Sequence, residues 1–363
     1  MPDPNPTRQL HDLGQSLWVD NIDREMLDGG KLRGWIDELS VTGLTSNPTI
    51  FDKAIGGGEA YDDSVRALRE QGRSGEDLFF EVALEDLRRA ADLFVAVHER
   101  TDGFDGWVSL EVSPLLADDS EATIEQVQRL HIESRRNNIF IKIPGTTAGT
   151  AAIEESIHAA VPVNVTLLFS TDQYLAAADA YMRGIERRIK DGEDPDVPSV
   201  ASLFVSRWDK AVIDEAPDEL RGELGIAVAK RTYRAYRELH DSDRWQRLEN
   251  EGARPQRLLW ASTGTKDPEA SDVLYVEGLA APLTINTMPD KTLLAFADHG
   301  QVRDPLPPDG GDCEEVLAAF NKAGIDTDAL AVRLQQEGAE TFVASWNELL
   351  ATIESKSAAL AAH

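Results

Sequence analysis

The sequence has 363 residues, of which 42% are hydrophobic, enough to build a full core in one large domain or two ordinary ones. Lys and Arg number 36 against 65 Asp and Glu, and the net charge of -29 argues against nucleic acids and anionic membranes as partners. The single cysteine, Cys313, excludes an internal disulfide framework and a cysteine-based metal site and favours a reducing compartment. We see no secretion signal and no apolar run near the roughly 18 residues of a membrane span, so we expect a cytoplasmic protein.

Along the chain, short apolar runs alternate with longer amphipathic stretches, which is typical of a parallel sheet covered by helices. Residues 1–16 are expected to form a lead-in and a first helix. Strands are predicted at residues 17–20, 43–48, 107–112, 139–144, 162–169, 200–205, 257–262 and 282–287. Helices are predicted between them at residues 23–39, 75–100, 121–137, 147–160, 172–190 and 207–240.

Eight strand–helix units in about 300 residues match an α/β protein of the (β/α)8 TIM-barrel type, whose active site lies at the carboxyl ends of the strands. A doubly wound sheet is the alternative. No G-x-G-x-x-G turn follows the first strand, however, and residues 56–58 (Gly-Gly-Gly) are expected in a plain loop.

The last part of the chain has a different character. Residues 303–311 are rich in Pro, Gly and Asp and predict a loop, and helices are predicted at residues 313–323 and 328–360. The final helix is amphipathic, so we expect it to pack on the barrel. The prediction is therefore one domain over residues 1–363, with residues 301–363 as a C-terminal helical extension.

Side chains along the predicted strands alternate between an aliphatic face and a face that carries polar groups. In the fifth strand, for example, Asn164 and Thr166 oppose Val163, Val165 and Leu167. In a barrel the aliphatic face meets the helices, so the other face points into the lumen. The polar side chains predicted to converge there are Asp20, Thr45, Asn47, Glu111, Lys142, Asn164, Thr166 and Ser202.

Lys142 lies in the middle of an apolar, β-branched run that ends at Pro144-Gly145, so it is expected to be buried. An unpaired buried ammonium tends to lose its proton, and the neutral amine attacks carbonyl carbons to form Schiff bases. The alternative is a strand-end lysine that reaches solvent past Pro144. The convergence of polar groups from six strands in one lumen favours the catalytic interpretation.

Six segments, in order and in spacing, resemble the class I transaldolases, in particular a longer bacterial branch. They are Trp18-Val19-Asp20, residues 43–48 (GLTSNP), residues 108–112 (VSLEV), Ile141-Lys142-Ile143-Pro144, residues 163–169 (NVTLLF after Val163) and residues 259–264 (LWASTG). The resemblance covers residues 15 to 300. It implies a (β/α)8 barrel without a cofactor that transfers a three-carbon dihydroxyacetone unit between sugar phosphates in the pentose phosphate pathway. Sugar phosphates are then the expected partners, with no nucleic acid or membrane, and we expect a monomer or a homodimer.

By this resemblance Lys142 matches the Schiff-base lysine, Glu111 the acid–base glutamate and Asp20 the aspartate that takes a proton from the C4 hydroxyl. Thr166 is expected to hold the water through which Glu111 works. Structural alternatives exist for two of these residues. Asp20 could cap the helix that follows it, and Thr166 could be present only for its β-propensity.

The resemblance also implies that Asn47 and Asn164 hold hydroxyls of the three-carbon unit, with Thr45 and Ser202 nearby. Thr45, like Thr166, could serve only as a strand residue, and Asn47 precedes Pro48, a pair that commonly starts a turn.

For the phosphate group, the resemblance implies Arg207 and Ser262, and arginine suits phosphate because its planar donors bind two oxygens at once. Many transaldolases place a second arginine after that serine, and here Lys266 could replace it or be a solvated loop lysine. Phe204 and Glu111 stand where the related fructose-6-phosphate aldolases typically have tyrosine and glutamine, which favours a transferase. A sugar-phosphate-binding barrel without activity would be expected to lack part of the catalytic set, whereas Lys142, Glu111 and Asp20 are all present. The histidines show no metal-ligand spacing, so no metal is expected.

Overall fold

The computed structural model describes residues 5–361, and its centre is a closed barrel of eight parallel strands in chain order. The strands are β1 (Ser16–Asp20), β2 (Val41–Thr45), β3 (Trp107–Glu111), β4 (Ile139–Pro144), β5 (Val163–Leu168), β6 (Ser199–Phe204), β7 (Arg257–Ala261) and β8 (Ile285–Met288). Each strand pairs with the next, and β1 pairs with β8 to close the ring. The predicted (β/α)8 barrel is therefore confirmed.

Helices surround the barrel. In the first half of the chain they are α1 (Pro6–Asp12), α2 (Arg24–Asp28), α3 (Lys31–Glu38), α4 (Pro48–Gly56), α5 (Asp62–Glu70), α6 (Gly75–Arg100), α7 (Ser120–Ser134) and α8 (Thr147–His158). In the second half they are α9 (Thr171–Asp191), α10 (Ser206–Ala211), α11 (Leu224–His240), α12 (Asp243–Asn250), α13 (Leu274–Gly278), α14 (Asp290–His299), α15 (Cys313–Lys322) and α16 (Thr327–Ala361). Residues 1–4 of the predicted lead-in and 362–363 of the extension lie outside the described residues. Within the described range, no helix is long and apolar enough to cross a membrane.

The barrel has two apolar layers, and the strand alternation separates them. Leu17 and Val19 of β1 join the core between barrel and helices, whereas Trp18 belongs to a second cluster inside the barrel. There the rings of Trp107 and Phe140 stack with centroids 4.1 Å apart, and Phe140 also stacks on Trp18 at 6.2 Å. This aromatic floor fills the lumen below the polar side chains.

The alternation fails at one predicted position, Leu167. Its backbone has φ of 59°, and the pairing of β5 with β6 shifts between Val165 and Leu168. Such an irregularity adds a residue to one strand and re-aims the side chains after it. Leu167 therefore joins the cluster of Phe169 and Phe204, while Leu168 takes the place on the helix-facing side that was predicted for Leu167.

Two predicted helices are each divided in the structure. Residues 23–39 form α2 and α3, because the chain turns at Gly29-Gly30 and Gly30 adopts φ of 72°. Residues 207–240 form α10 and α11, separated by a segment with Pro217 and by Gly222 at φ of 78°. Proline and a left-handed glycine both interrupt a helical ladder.

The segment after β2 contains two helices, α4 and α5, that were not predicted, and the loop predicted at residues 56–58 lies between them except for Gly56. Asn47 caps α4, since its side-chain oxygen accepts from the backbone N–H of Ile50 at 3.1 Å, and Pro48 occupies the first helical turn. Proline is well suited to that position because its missing N–H would have no partner there. Gly56 is the last residue of α4, and the predicted loop continues with Gly57 and Gly58.

The long helix α16 packs across the barrel end that holds the carboxyl termini of the strands. The side chain of Gln335 donates to the carbonyl oxygens of Gly145 and Leu167, both at 3.0 Å, just after β4 and late in β5. Further along, Trp346 is fully buried against the rings of Phe79 and Phe80 of α6. The same helix lies along α4, where Thr49 donates to Ser345 at 2.8 Å.

Candidate active site

A cavity of about 570 Å³ opens at the carboxyl ends of the strands, where TIM barrels carry their active sites. It is lined by ten of the side chains singled out in the sequence: Asp20, Thr45, Asn47, Lys142, Thr166, Ser202, Phe204, Arg207, Ser262 and Lys266. Two others, Glu111 and Asn164, lie behind the lining, and each hydrogen-bonds to a residue that lines the cavity. The structure thus brings all twelve together.

Lys142 and Glu111 form a buried ion pair. The Nζ atom of Lys142 donates to Oε2 of Glu111 at 3.0 Å and to the carbonyl oxygen of Ser46 at 3.1 Å. This corrects the expectation of an unpaired ammonium. Burial raises the pKa of Glu111, and the charge of Lys142 opposes that rise. Proton transfer between these two groups therefore needs no movement of either side chain.

Asp20 faces the cavity beside this pair. The hydroxyl of Thr45 donates to Oδ1 of Asp20 at 2.7 Å, and it also contacts the hydroxyl of Thr287 at 2.6 Å. Burial raises the pKa of Asp20, while the charge of Lys142 and the bond from Thr45 act in the opposite direction. A carboxylate with a raised pKa is a better proton acceptor, which suits a general base.

The helix-cap alternative for Asp20 is wrong. The cap of α2 is Asp23, whose Oδ1 accepts from the backbone N–H of Met26 at 2.6 Å. Asp20 is therefore not needed to begin that helix.

Two buried oxygens near the lysine have no hydrogen-bond partner among the described residues. They are Oε1 of Glu111 and Oγ1 of Thr166. Buried polar atoms are rarely left unsatisfied, and such exceptions commonly mark a place that takes up water or a ligand. Both oxygens are therefore available to a water molecule or a ligand.

Asn164 and Ser202 belong to a chain of hydrogen bonds through the lumen. The amide nitrogen of Asn164 donates to the hydroxyl of Ser109 at 3.1 Å, and the hydroxyl of Ser202 donates to its Oδ1 at 2.7 Å. This network fixes the orientation of the Asn164 amide. Asn47, by contrast, uses only its oxygen, as the cap of α4, and its amide nitrogen has no partner among the described residues.

One side of the cavity is positively charged, in contrast to the net charge of the chain. Arg207, Lys210 and Lys266 line it, and none of them forms an ion pair with another described residue. Burial lowers the pKa of Arg207, and the charge of Glu337 on α16 partly offsets that effect. The pKa of Lys266 is lowered by burial and then by Arg207, Lys291 and Lys210. Cations that repel each other in this way favour an anion between them.

Ser262 lies at the end of β7 beside these cations. Its backbone has φ of 55°, and its hydroxyl contacts that of Ser206 at 2.9 Å. Ser206 begins α10, the short helix that carries Arg207 and Lys210. The pair of serines therefore joins the ends of β6 and β7 under the positive side of the cavity.

Sequence reasoning missed several lining residues. Lys210 lies three residues after Arg207, a helical spacing that could have placed both on one side of α10. Lys53 was missed because α4 was not predicted. Thr341 and Phe342 come from α16, almost 200 residues from Lys142 in the chain, and no local pattern shows where an amphipathic helix will dock.

Comparison with known proteins supports one family. The family model described as transaldolase/fructose-6-phosphate aldolase matches residues 17–353. The chain belongs to this family. A protein named transaldolase from Saccharopolyspora erythraea is 44% identical over 351 residues, which cover 95% of each chain. Proteins of the same name from Mycobacterium bovis and Thermobifida fusca are 45% and 43% identical, over 94% and 99% of each chain. The predicted family is confirmed, and with it an enzyme of transaldolase type.

Proposed function

We propose that this chain is a transaldolase that moves a dihydroxyacetone unit between sugar phosphates through a Schiff base on Lys142. The overall reaction would convert sedoheptulose 7-phosphate and glyceraldehyde 3-phosphate into erythrose 4-phosphate and fructose 6-phosphate, in the non-oxidative pentose phosphate pathway. The observation that supports it most strongly is the Lys142–Glu111 pair at 3.0 Å in a cavity that also holds Asp20 and a cluster of cations.

The first half of the reaction attaches the donor. The ammonium of Lys142 first passes a proton to Glu111. The resulting amine adds to the C2 carbonyl of the ketose phosphate, and a proton moves from the nitrogen to the C2 oxygen to give the carbinolamine. Loss of the C2 hydroxyl as water then yields the iminium ion. This step needs a proton donor near C2, a role that fits Glu111 acting through a water held by Thr166, since each has a buried oxygen with no hydrogen-bond partner among the described residues.

The second half breaks and remakes a carbon–carbon bond. Asp20 takes the proton of the C4 hydroxyl, the C3–C4 bond breaks, and its electron pair moves into the cationic imine. The aldose phosphate departs, leaving the enamine of dihydroxyacetone on Lys142. An incoming aldose phosphate reverses these steps. Arg207, Lys210 and Lys266 would hold the phosphate of donor and acceptor, since together they form the cationic side of the cavity.

Phe204 and Glu111 favour transfer over simple cleavage within this family. The fructose-6-phosphate aldolases typically have tyrosine and glutamine at these positions, and they release free dihydroxyacetone. Phe204 lines the cavity and brings no hydroxyl that could deliver a proton to the enamine. We place the enzyme in the cytoplasm, in keeping with its phosphorylated substrates and its single cysteine.

The test compares fructose 6-phosphate alone with fructose 6-phosphate plus erythrose 4-phosphate, with release of glyceraldehyde 3-phosphate followed by a coupled dehydrogenase. We expect sustained turnover only with the acceptor and none for Lys142→Ala. Equal turnover without acceptor would make the protein an aldolase. Treatment with EDTA should leave the rate unchanged, and a large loss would contradict the Schiff-base proposal.

A further inference from the structure

We infer that Phe342 of α16 is a specificity-determining residue that keeps the enamine on Lys142 for transfer by excluding water from it. This inference rests on the proposed function and extends it to a part of the chain outside the strand ends. Phe342 lines the same cavity as Lys142 and is only 6% exposed. It shares an apolar cluster with Leu167, Phe169 and Phe204, so it forms one wall of the cavity together with Phe204.

The position of this wall is fixed on both sides of Phe342. On one side Gln335 donates to the carbonyl oxygens of Gly145 and Leu167. On the other, Ser345 accepts from Thr49 at 2.8 Å, and Trp346 is buried with its ring centroid 5.1 Å from that of Phe79. A helix anchored before and after a residue cannot swing that residue away from the cavity without breaking these contacts.

Gly338 determines how closely α16 approaches the barrel end, and therefore how far the ring of Phe342 extends into the cavity. It lies one helical turn before Phe342, where a Cβ atom would stand 3.0 Å from Leu167 and 3.5 Å from the ring of Phe169. The shorter distance is tighter than ordinary van der Waals contact, so a larger side chain would push α16 away from the barrel end. Glycine at this position therefore allows the close approach that places the Phe342 ring at the cavity.

The chemistry explains why such a wall matters. In the wasteful route, C3 of the enamine takes a proton, water adds to C2 of the resulting iminium, and the C2–N bond breaks to release dihydroxyacetone and the free amine of Lys142. In the transfer route, C3 attacks the aldehyde carbon of the acceptor, and Asp20 returns its proton to the new alkoxide. The new iminium ion is then hydrolysed to release the ketose phosphate, so water adds to C2 in both routes. Only the first route needs a proton from solvent at C3 of the enamine, so an apolar wall that keeps water away from C3 slows it selectively.

The experiment measures the ratio of free dihydroxyacetone to transfer product, with fructose 6-phosphate as donor and erythrose 4-phosphate as acceptor. Phe342→Ala should raise this ratio by about tenfold or more, and Phe342→Leu by less, because leucine keeps part of the apolar volume. Gly338→Val should act in the same direction by displacing the helix. Val332→Ala is the matched control on α16, since Val332 is 66% exposed and does not line the cavity, and it should leave the ratio unchanged.

Melting temperature and trapping of the three-carbon adduct by borohydride are recorded for every variant. If Phe342→Ala fails to fold, Phe342→Leu decides the question. An unchanged ratio in a folded variant that still forms the adduct would overturn this inference and leave the proposed function standing. Failure of the unaltered protein to form any adduct would instead overturn the proposed function.

Discussion

Replacing Glu111 by glutamine tests the acid–base assignment with little change in shape. The carboxylate accepts from Nζ of Lys142 at 3.0 Å and is buried. Glutamine keeps the volume and one acceptor oxygen but cannot carry protons. A positioned acid–base group contributes typically 10²–10⁴-fold, so formation of the iminium ion should slow by that factor, about 3–5 kcal/mol in activation free energy.

The assay is the rate at which the borohydride-trapped adduct appears after mixing with fructose 6-phosphate. Glu125→Gln, on the exposed side of α7, is the matched control and should behave like the unaltered protein. Removing one partner of a buried ion pair costs up to about 3–5 kcal/mol of stability, so the melting temperature of each variant is measured together with its rate of adduct formation. A folded Glu111→Gln variant that forms the adduct within about threefold of the normal rate would refute the acid–base role.

Four further predictions concern the base, the phosphate site, pH and packing. The Asp20→Asn variant should still form a Schiff base but should not break the C3–C4 bond, so the adduct trapped by borohydride should carry the whole six-carbon donor. A three-carbon adduct formed at the normal rate would contradict the assignment of Asp20 as the base. Arg207→Ala should raise KM for the sugar phosphate by about 10- to 100-fold, because hydrogen bonds between charged groups contribute about 1.5–3 kcal/mol. An equal increase in KM for unphosphorylated fructose would argue against a contact between Arg207 and the phosphate. Burial raises the pKa of Asp209 from 3.8 to about 6 in the folded protein, so the folded state binds the extra proton and stability falls as pH rises between these values. This group should lower the free energy of unfolding in urea by up to about 3 kcal/mol between about pH 4 and pH 7, and Asp209→Asn should remove that contribution. If the difference in unfolding free energy between the two pH values is the same in the variant, the prediction is wrong. Gly43→Ala places a Cβ atom 2.4 Å from the Trp18 ring and should cost about 1–3 kcal/mol in thermal unfolding. The control is Gly34→Ala, where the added Cβ meets no atom of the described residues within 4 Å apart from its own stretch of helix. It should be neutral or stabilising, and equal behaviour of the two variants would undermine the packing argument.

The barrel and the centre of its site could be predicted because their signals are local. The alternation of Phe140 and Lys142 with isoleucines shows which side chains enter the lumen, and parallel strands bring their carboxyl ends to one edge. Lys142, Glu111 and Asp20 follow from that parity together with the family resemblance. The irregularity at Leu167 could not be predicted, because its positive φ is imposed by the surrounding structure and no sequence pattern indicates it.

The rim of the cavity could not be predicted for a different reason. It depends on α4 and α16, two helices far apart in the chain that pack on each other. The amphipathic pattern of α16 predicts that it packs on the barrel, but not that Phe342 reaches the cavity or that Glu337 influences Arg207. The ion pair between Lys142 and Glu111 could not be predicted either, since a contact between neighbouring strands can be predicted only when the register of the two strands is known.

The most direct test of the central claim is intact-mass spectrometry after incubation with fructose 6-phosphate and borohydride, with Lys142→Ala alongside. The proposed mechanism predicts a stable three-carbon adduct on the unaltered protein alone, mapped to Lys142 by peptide analysis. No adduct on either protein, or the same adduct on both, would contradict Lys142 as the nucleophile that holds the dihydroxyacetone unit.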